Sequence, residues 1–272
     1  VFRSEILKAG LSLPNEIIDD GRIHRFSSNG KTTDNAGWYV LFTDGIPAGT
    51  FGCWRTGINI RWSSVNEAKL NQSQKLEFNK KIEEAKKLRE QEEERNRAKA
   101  RIRANQIWEQ STEAPAKHPY LLSKKVQPHG LKLSRGKLVV PLYDQDHNLQ
   151  SLQFIGSDGE KTFLGGGRIK ACYYPVGRAP DKILYVAEGF ATAATVQEAT
   201  ESSVAVAFNA NNIKPVAKAL HEKFPNLEMV ICGDDDHQTK GNPAISKAIE
   251  AATATRSKVV IPEFKGIRSD SD

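Results

Sequence analysis

Two short stretches decide the architecture of the second half of the chain: ILYVAEG at residues 183–189 and EMVICGDDD at residues 228–236. Each is a continuous apolar run that ends in acidic residues. Further strands are predicted at residues 204–208 and 259–261, and helices at residues 190–199, 213–223 and 243–255, with Asn212 and Asn242 as N-caps of the last two. Apolar strands that alternate with helices predict a parallel sheet covered on both faces.

The acidic residues stand where an open parallel sheet places its functional sites, at the carboxyl ends of the strands. Glu188 follows the first run, and Asp234, Asp235 and Asp236 follow the second. Because side chains alternate along an extended segment, Asp234 and Asp236 point one way and Asp235 the other. If the two strands are near neighbours, Glu188 faces the Asp234 and Asp236 pair. Asp235 is either a further metal ligand or a turn residue.

Carboxylates that converge in this way cannot all stay ionised unless a cation joins them. Hard oxygen ligands favour Mg²⁺ or Mn²⁺. The cluster therefore predicts metal-assisted phosphoryl or nucleotidyl transfer, with Glu188, Asp234 and Asp236 as catalytic residues. A single Asp after a strand is more often a turn former or helix cap, so the prediction rests on the combination. No P-loop, dinucleotide-binding or nucleophile-elbow motif competes with it.

Residues 112–180 are predicted to be rich in strands. Antiparallel strands at residues 137–143 and 149–155 are joined through residues 146–148, and a short strand is predicted at residues 171–174. The glycines at 165–167 mark a tight loop where the backbone can approach phosphates. Basic residues nearby are candidates for nucleotide and template binding, with general solubility as the alternative: Lys124, Lys125, Lys161, Arg168 and Lys170.

Residues 63–111 contain neither Gly nor Pro and are crowded with Glu, Lys, Arg, Gln and Ala, which predicts a long charged helix. Ser64 and Glu67 form a predicted capping box at its start. Apolar residues are sparse and keep no sustained heptad, so we predict a solvated helical linker. The positive cluster from Arg95 to Arg103 either touches nucleic acid or forms a solvated face.

Residues 1–62 are predicted to form a small β-rich domain. Turn pairs such as Asp20-Gly21 and Asp44-Gly45 separate short apolar runs, a pattern typical of hairpins. Aromatic and basic residues interleave here, which suits stacking on unpaired bases, although the aromatics can equally be the core of a small β domain. The candidate nucleic-acid-binding residues are Arg25, Trp54 and Arg55.

Composition sets broad limits on function. The 272 residues carry a formal charge of +6, which suits a polyanionic partner but also an ordinary basic protein. The three cysteines lie far apart, so we expect neither a disulfide framework nor zinc. No apolar run approaches the roughly 18 residues of a membrane span, and the first residues lack the apolar region of a signal peptide. A cytoplasmic location without a membrane partner is expected.

The segment from Lys182 to about Asp270 resembles a Toprim domain, the catalytic fold shared by DnaG-type primases, topoisomerases and some nucleases. The resemblance rests on YVAEGFAT (185–192), ICGDDD (231–236) and GNPA (241–244). In that family the glutamate and the Asp-x-Asp pair carry the metals. The resemblance therefore implies that Glu188, Asp234 and Asp236 are metal ligands here.

Further segments resemble the plasmid and phage branch of primases, in which the primase is often part of a primase/helicase. They are HPYL (118–121), LVVPL (138–142), SLQFI (151–155), KTFLGG (161–166), HRF (24–26), GWY (37–39) and FGCWRTG (51–57). The resemblance implies an α/β protein, α+β overall, with a Toprim-type domain at 181–272 after a strand-rich primase subdomain at 112–180. It also implies RNA primer synthesis from ribonucleoside triphosphates on single-stranded DNA, with a replicative helicase in cis or in trans.

Two features depart from the DnaG-type pattern. Those primases carry an Asp four residues after the glutamate, where this chain has Thr192, so the number of metals stays open. They also begin with a zinc-binding module, for which this sequence has no ligands. A Toprim nuclease and a non-catalytic DNA-binding or loading module remain as alternatives, whereas a topoisomerase would need a nucleophilic tyrosine in a further domain.

Overall fold

The structure is a computed structural model that describes residues 1–66, 70–234 and 243–261 of the chain. The described residues group into two compact units, one from Val1 to Arg95 and one from Asn96 onward. Within that described part, no helix combines the length and the apolar character that a membrane crossing requires. The finer division at residues 62, 111 and 180 stays a prediction.

The first unit is built on a four-stranded antiparallel sheet, in agreement with the predicted hairpins. In order along the chain and across the sheet, its strands are β1 (His24–Phe26), β2 (Gly37–Phe42), β3 (Ala48–Cys53) and β4 (Asn59–Ser63). Gly45 between β2 and β3 and Gly57 between β3 and β4 both have φ of +74°. Residues with a side chain rarely adopt that conformation, so these glycines permit the tight turns.

A short helix, α1 (Phe2–Lys8), packs against this sheet and was not predicted from the sequence. Its Phe2 and Ile6 are buried in one apolar cluster with Tyr39 and Phe51. The Phe2 ring meets the Phe51 ring edge-on, with centroids 5.6 Å apart. The buried aromatics of β2 and β3 therefore form a core, which is one of the two interpretations that the sequence left open.

The long charged helix is α2 (Gln72–Gln110). It begins at a reciprocal capping box in which the Gln74 N–H donates to Asn71 Oδ1 at 2.9 Å and the Asn71 N–H donates to Gln74 Oε1 at 3.0 Å. The predicted box used Ser64, which lies well before the helix, and Glu67, which lies outside the described residues.

The expectation that α2 is a solvated linker is wrong for one side of the helix. In the first unit, Phe78 and Ile82 are buried in a cluster with Ala48. In the second unit, Ala104 is fully buried in a cluster with Val139. The buried positions are few and several are alanines, so they leave almost no apolar periodicity for the sequence to reveal.

The second unit contains an antiparallel sheet and a mainly parallel one. The antiparallel sheet runs β5 (Thr112–Glu113), β6 (Lys132–Ser134), β7 (Lys137–Tyr143), β8 (Leu149–Ile155) and β9 (Lys161–Phe163), with α3 (Pro119–Lys124) between β5 and β6. Both β7 and β8 match the predicted strands. Side chains alternate between two faces, so Val139 packs with α2 while Leu138 and Val140 join the core that includes the parallel sheet.

The parallel sheet has the strand order β10-β12-β11-β13-β14. Its strands are β10 (Tyr174–Val176), β11 (Ile183–Ala187), β12 (Ser203–Val206), β13 (Glu228–Cys232) and β14 (Lys258–Val260). The helices α4 (Phe190–Thr200), α5 (Ala210–Lys223) and α6 (Pro243–Thr255) connect successive strands from β11 onward. Only β10, at one edge, is antiparallel. Separate apolar cores involve this sheet, which confirms the predicted two-sided burial.

The segment at 171–174, predicted as a strand, instead links the two sheets. Tyr173 forms a β-bridge with Tyr143 of β7, with N–H···O distances of 2.8 and 2.9 Å. The next residue, Tyr174, begins β10 and pairs with Val206 of β12. The parallel sheet therefore includes a strand that precedes residue 180 as well as those that follow it.

The predicted N-cap of α5 is displaced by three residues. Asn209 is the N-cap, and its side chain accepts a hydrogen bond from the Asn212 N–H at 3.1 Å. Asn212 itself is buried, and its Oδ1 accepts from the Ala171 N–H at 2.8 Å. Its Nδ2 donates to the carbonyls of Cys172 and Ala207 at 3.0 and 2.8 Å. Asn212 thus ties the segment before β10 to the end of β12.

Candidate active site

Two of the predicted acidic residues follow neighbouring strands at the carboxyl edge of the parallel sheet. Strands β11 and β13 are hydrogen-bonded neighbours, with Ala187 paired to Cys232. Glu188 follows Ala187 directly, and Asp234 follows Cys232 by two residues. Both acidic residues are partly buried. The neighbouring strands that the sequence argument required are therefore present.

The remaining members of the predicted acidic set cannot be placed. Asp235 and Asp236 lie outside the described residues, as does Asn242, the predicted N-cap of α6. Among the residues that are described, no group of three or more His, Cys, Asp or Glu side chains is arranged to hold a metal ion. The structure thus positions two carboxylates, Glu188 and Asp234.

The surroundings of Asp234 disfavour its charged form. Burial raises the pKa of Asp234, while a hydrogen bond from the Thr192 hydroxyl and the positive charge of Lys161 lower it. The net result is a pKa above the ordinary value of 3.8. A carboxylate in this condition is stabilised by a cation, so the oxygen donors here suit a hard divalent ion.

Thr192 contributes a donor where the resemblance leads one to expect an acid. It lies on α4, one turn beyond Glu188, and its hydroxyl donates to Asp234 Oδ1 at 3.3 Å. Thr192 lies in the first turn of α4, and that helix begins at the carboxyl end of β11, so its position in the sequence already places it near the acidic edge. The sequence did not reveal that its partner is Asp234, because that residue follows a different strand, 42 residues along the chain.

Lys161 is the one predicted basic residue that we can place against this edge. It comes from β9 of the antiparallel sheet, and its charge acts on Asp234. A Cβ placed on Gly189 would lie 3.6 Å from Lys161 Nζ, so the ammonium group lies close to the backbone that follows Glu188. The acidic side chains of the site therefore follow strands of the parallel sheet, whereas the ammonium group of Lys161 comes from the antiparallel sheet.

The other basic candidates of this unit occupy different positions. Arg168 is engaged within the fold: its guanidinium lies 3.4 Å from Asp144 Oδ2 and donates to Cys172 Sγ at 3.5 Å. Lys124 ends α3 and Lys125 is its left-handed C-cap, while Lys170 is exposed in the loop before β10. None of these four positions directly supports nucleotide binding, so nucleotide binding by these residues stays a prediction.

In the first unit, the three candidates Arg25, Trp54 and Arg55 lie near one another. The guanidinium of Arg25 lies over the Trp54 ring, 5.7 Å from its centroid. Arg55 forms an ion pair with Asp34. Both arginines thus have partners within the unit, and their binding of nucleic acid stays a prediction.

Comparison with known proteins identifies the segment that carries the acids. Residues 183–272 match the family model of the Toprim domain. The chain is 36% identical over 259 residues to a DNA primase TraC of Escherichia coli, covering 91% of this chain and 24% of that protein. A second DNA primase TraC of Escherichia coli is 35% identical over 259 residues, or 18% of its length. This chain thus spans a quarter or less of these relatives.

Two solved structures that align with this chain are described as primases. The primase fragment of the bacteriophage T7 primase-helicase protein aligns with a TM-score of 0.42 and 18% identity, over 53% of this chain and 64% of that one. The Aquifex aeolicus primase, comprising zinc-binding and RNA polymerase domains, aligns with a TM-score of 0.43 and 11% identity, over 97% and 77% of the two chains.

Proposed function

We propose that this Toprim-domain protein is a DNA primase that synthesises short RNA primers on single-stranded DNA by metal-dependent nucleotidyl transfer. Its similarity to DNA primase TraC, across 91% of the chain, supports this activity and a place in plasmid or phage replication. Because this chain spans only 24% and 18% of those relatives, the proposal concerns the reaction of this segment.

The observation that carries the proposal is that Glu188 and Asp234 follow the ends of two adjacent strands, with the charge of Lys161 acting on Asp234. Primer extension joins a hydroxyl, which must lose a proton, to a triphosphate, which carries several negative charges. Carboxylates at the sheet edge serve the first requirement, by holding cations or by accepting the proton. The ammonium group of Lys161 serves the second.

The donor set fits Mg²⁺ or Mn²⁺, since it consists of carboxylate oxygens in a partly desolvated position. Glu188, Asp234 and Asp236 would hold the metal, with Asp235 as a further candidate. When bound, the metal neutralises phosphate charge and lowers the pKa of the attacking hydroxyl. Glu188 would act as a ligand or as the general base, and the hydroxyl of Thr192 would keep Asp234 oriented toward the site.

Lys161 and the start of α4 would bind the triphosphate. Gly189 is the N-cap of α4 and adds no side-chain cap, so the first N–H groups of the helix face the edge where Glu188 lies. Such N–H groups and the positive end of the helix dipole favour a phosphate. An adjacent ammonium group adds a full charge to the same place.

The partners implied are a single-stranded DNA template, ribonucleoside triphosphates and a replicative helicase. The T7 structure is described as a fragment of a primase-helicase protein, which motivates the last of these. Basic and aromatic residues of the first unit, Arg25, Trp54 and Arg55, would assist template binding. A cytoplasmic location follows from this role.

De novo synthesis on single-stranded DNA with labelled ribonucleotides, in Mg²⁺ and separately in Mn²⁺, tests the proposal. Glu188→Gln and Asp234→Asn each keep the side-chain size and remove the charge, and each is expected to lower primer yield by about 100-fold or more. Lys161→Gln is expected to raise the KM for nucleotides. Glu201→Gln is the matched control, because Glu201 is an exposed carboxylate at the opposite end of α4.

Three results would contradict the proposal. Metal-dependent loss of template without primer synthesis would indicate a nuclease. Template binding by all variants, with neither synthesis nor cleavage by the wild-type chain, would indicate a binding or loading module. Full activity of Glu188→Gln would remove the role assigned to that residue.

A further inference from the structure

A groove with a volume of about 790 Å³ runs between α2 and the turn that joins β7 to β8. The side chains that define its character are Arg101, Asn105, Trp108, Tyr143, His147 and Asn148. It lies on the face of the antiparallel sheet that packs against α2, opposite to the face that joins the core with the parallel sheet. It is therefore separate from the acidic edge.

One wall of the groove carries two stacked rings. The imidazole of His147 lies on the phenol ring of Tyr143, with centroids 4.2 Å apart and planes inclined by 17°. His147 is exposed while Tyr143 is half-buried beneath it, so the outer face of the imidazole is open. A flat aromatic platform of this kind accepts a nucleobase of any identity, because every base has a π face.

The turn that holds His147 is fixed by a buried carboxylate. Asp144 Oδ1 accepts from the N–H groups of Asp146 and Asn148 at 3.1 and 2.9 Å, and its Oδ2 accepts from Gln150 Nε2 at 2.7 Å. His147 has φ of +64°, a conformation that glycine adopts more easily. The imidazole thus sits on a pre-organised turn at a position where the backbone alone would favour glycine.

The other wall is one stripe of α2. Arg101, Asn105 and Trp108 lie three to four residues apart and share a face of the helix. The Trp108 ring is held by Lys132, whose Nζ lies 4.5 Å from the ring centroid and donates to the Trp108 carbonyl at 2.8 Å. All lining residues lie in the described part of the chain, and none of them is acidic.

We propose that this groove binds single-stranded DNA, with bases stacked on His147 and against Trp108 and a phosphate paired with Arg101. The chemistry is complementary: aromatic faces for unpaired bases, carboxamides for base edges and a guanidinium for the backbone. The inference rests on the proposed function, under which the strand available to the chain is a DNA template. It adds a second contact for that strand, on the sheet face away from the acids.

Fluorescence anisotropy with a labelled deoxyribo-oligonucleotide in EDTA tests the groove without involving metal at the acidic edge. His147→Gly removes the ring and suits the left-handed backbone, and Arg101→Gln removes the charge. Each is expected to weaken binding by about fivefold or more. Arg101→Gln should also reduce the salt dependence of log K by roughly 0.7, the value of one phosphate contact on a single strand.

Two further variants keep the test decisive. Ala98→Trp fills the groove with a bulky side chain while leaving His147 and Arg101 unchanged. It should weaken DNA binding by a similar factor. Lys117→Gln removes an exposed charge of the same unit outside the lining, and it should leave affinity within about twofold if the effect is local. Circular dichroism of each variant verifies that the fold is intact.

The groove assignment is overturned if the His147, Arg101 and Ala98 variants bind DNA as the wild type does. It is also overturned if Lys117→Gln weakens binding as much as Arg101→Gln, or if RNA of the same sequence binds more tightly. The proposed function is judged separately, from primer synthesis by the wild type and Glu188→Gln. DNA binding that depends on the groove, without any primer synthesis, would retain the groove and reject the primase.

Discussion

Replacing Asn212 with alanine is expected to destabilise the second unit by about 3 kcal/mol. Asn212 is only 4% exposed, and its amide makes three hydrogen bonds to backbone groups. The alanine variant would leave the Ala171 N–H and the carbonyls of Cys172 and Ala207 without this partner. The segment that leads into β10 would then be held to the end of β12 by the pairing of β10 with β12 alone.

The magnitude follows from the number and the surroundings of these groups. A buried backbone group left unsatisfied costs about 1–3 kcal/mol, and three are affected. The estimate lies at the lower end of the summed range because Ala171 is only partly buried, so water can replace one bond. Asn212→Asp should be at least as damaging, since it sets a carboxylate oxygen against two carbonyl oxygens.

Urea unfolding followed by hydrogen exchange of peptides from β11 to β13 measures the second unit separately from the first. Asn209→Ala is the comparison, because it removes only the N-cap bond of α5 and should cost about 1 kcal/mol. If Asn212→Ala lowers the free energy of unfolding no more than Asn209→Ala does, the three hydrogen bonds of Asn212 do not stabilise the second unit as argued.

Three further predictions concern stability. Gly167→Ala should cost about 1–3 kcal/mol in thermal unfolding, because a Cβ there would lie 2.1 Å from Oγ of the fully buried Ser151, and Ser151→Gly should recover part of the loss. Asn71→Ala removes the cap of α2 and should cost about 1 kcal/mol, seen as lower helicity on heating in circular dichroism. Burial raises the pKa of Glu198, but a backbone N–H and the His129 ring outweigh it and hold the pKa below 4.5. The stability that Glu198 contributes is therefore complete above that pH and is lost as pH falls through the lowered pKa, and Glu198→Gln should remove this acid dependence from the unfolding curve.

The exact ends of a strand could be predicted from the sequence where glycine or an acidic residue directly follows an apolar run. Strand β11 ends where Glu188 and Gly189 follow an apolar run, and β13 ends where Gly233 does. Helix α1 could not be predicted, because it has seven residues and its formation depends on burial against Tyr39 and Phe51, far along the chain. The stabilising contacts of α2 were missed for a related reason, since alanines bury well without appearing apolar in a charged helix.

The positions of Glu188 and Asp234 at the sheet edge could be predicted, whereas the different surroundings of the basic residues could not. Glu188 and Asp234 are identified by their positions after strands, a local property of the sequence. Lys161 and Arg168 look alike in sequence, and only the fold separates them, because it brings Lys161 to Asp234 and pairs Arg168 with Asp144. A contact with a residue far along the chain cannot be recognised from the neighbouring sequence.

The chain passes from the antiparallel sheet to the parallel sheet at Tyr173 and Tyr174. This connection limits where the protein can be truncated for expression. A fragment that starts at residue 181 would lack β10 and leave β12 as an open edge. The unpaired backbone of Val204 and Val206 would then recruit another copy, and the fragment would aggregate. Because Tyr173 is bonded to Tyr143, a well-behaved truncation must also retain β7 and hence the antiparallel sheet. The smallest useful piece for crystallisation or isotope labelling is therefore the whole second unit, starting near Asn96.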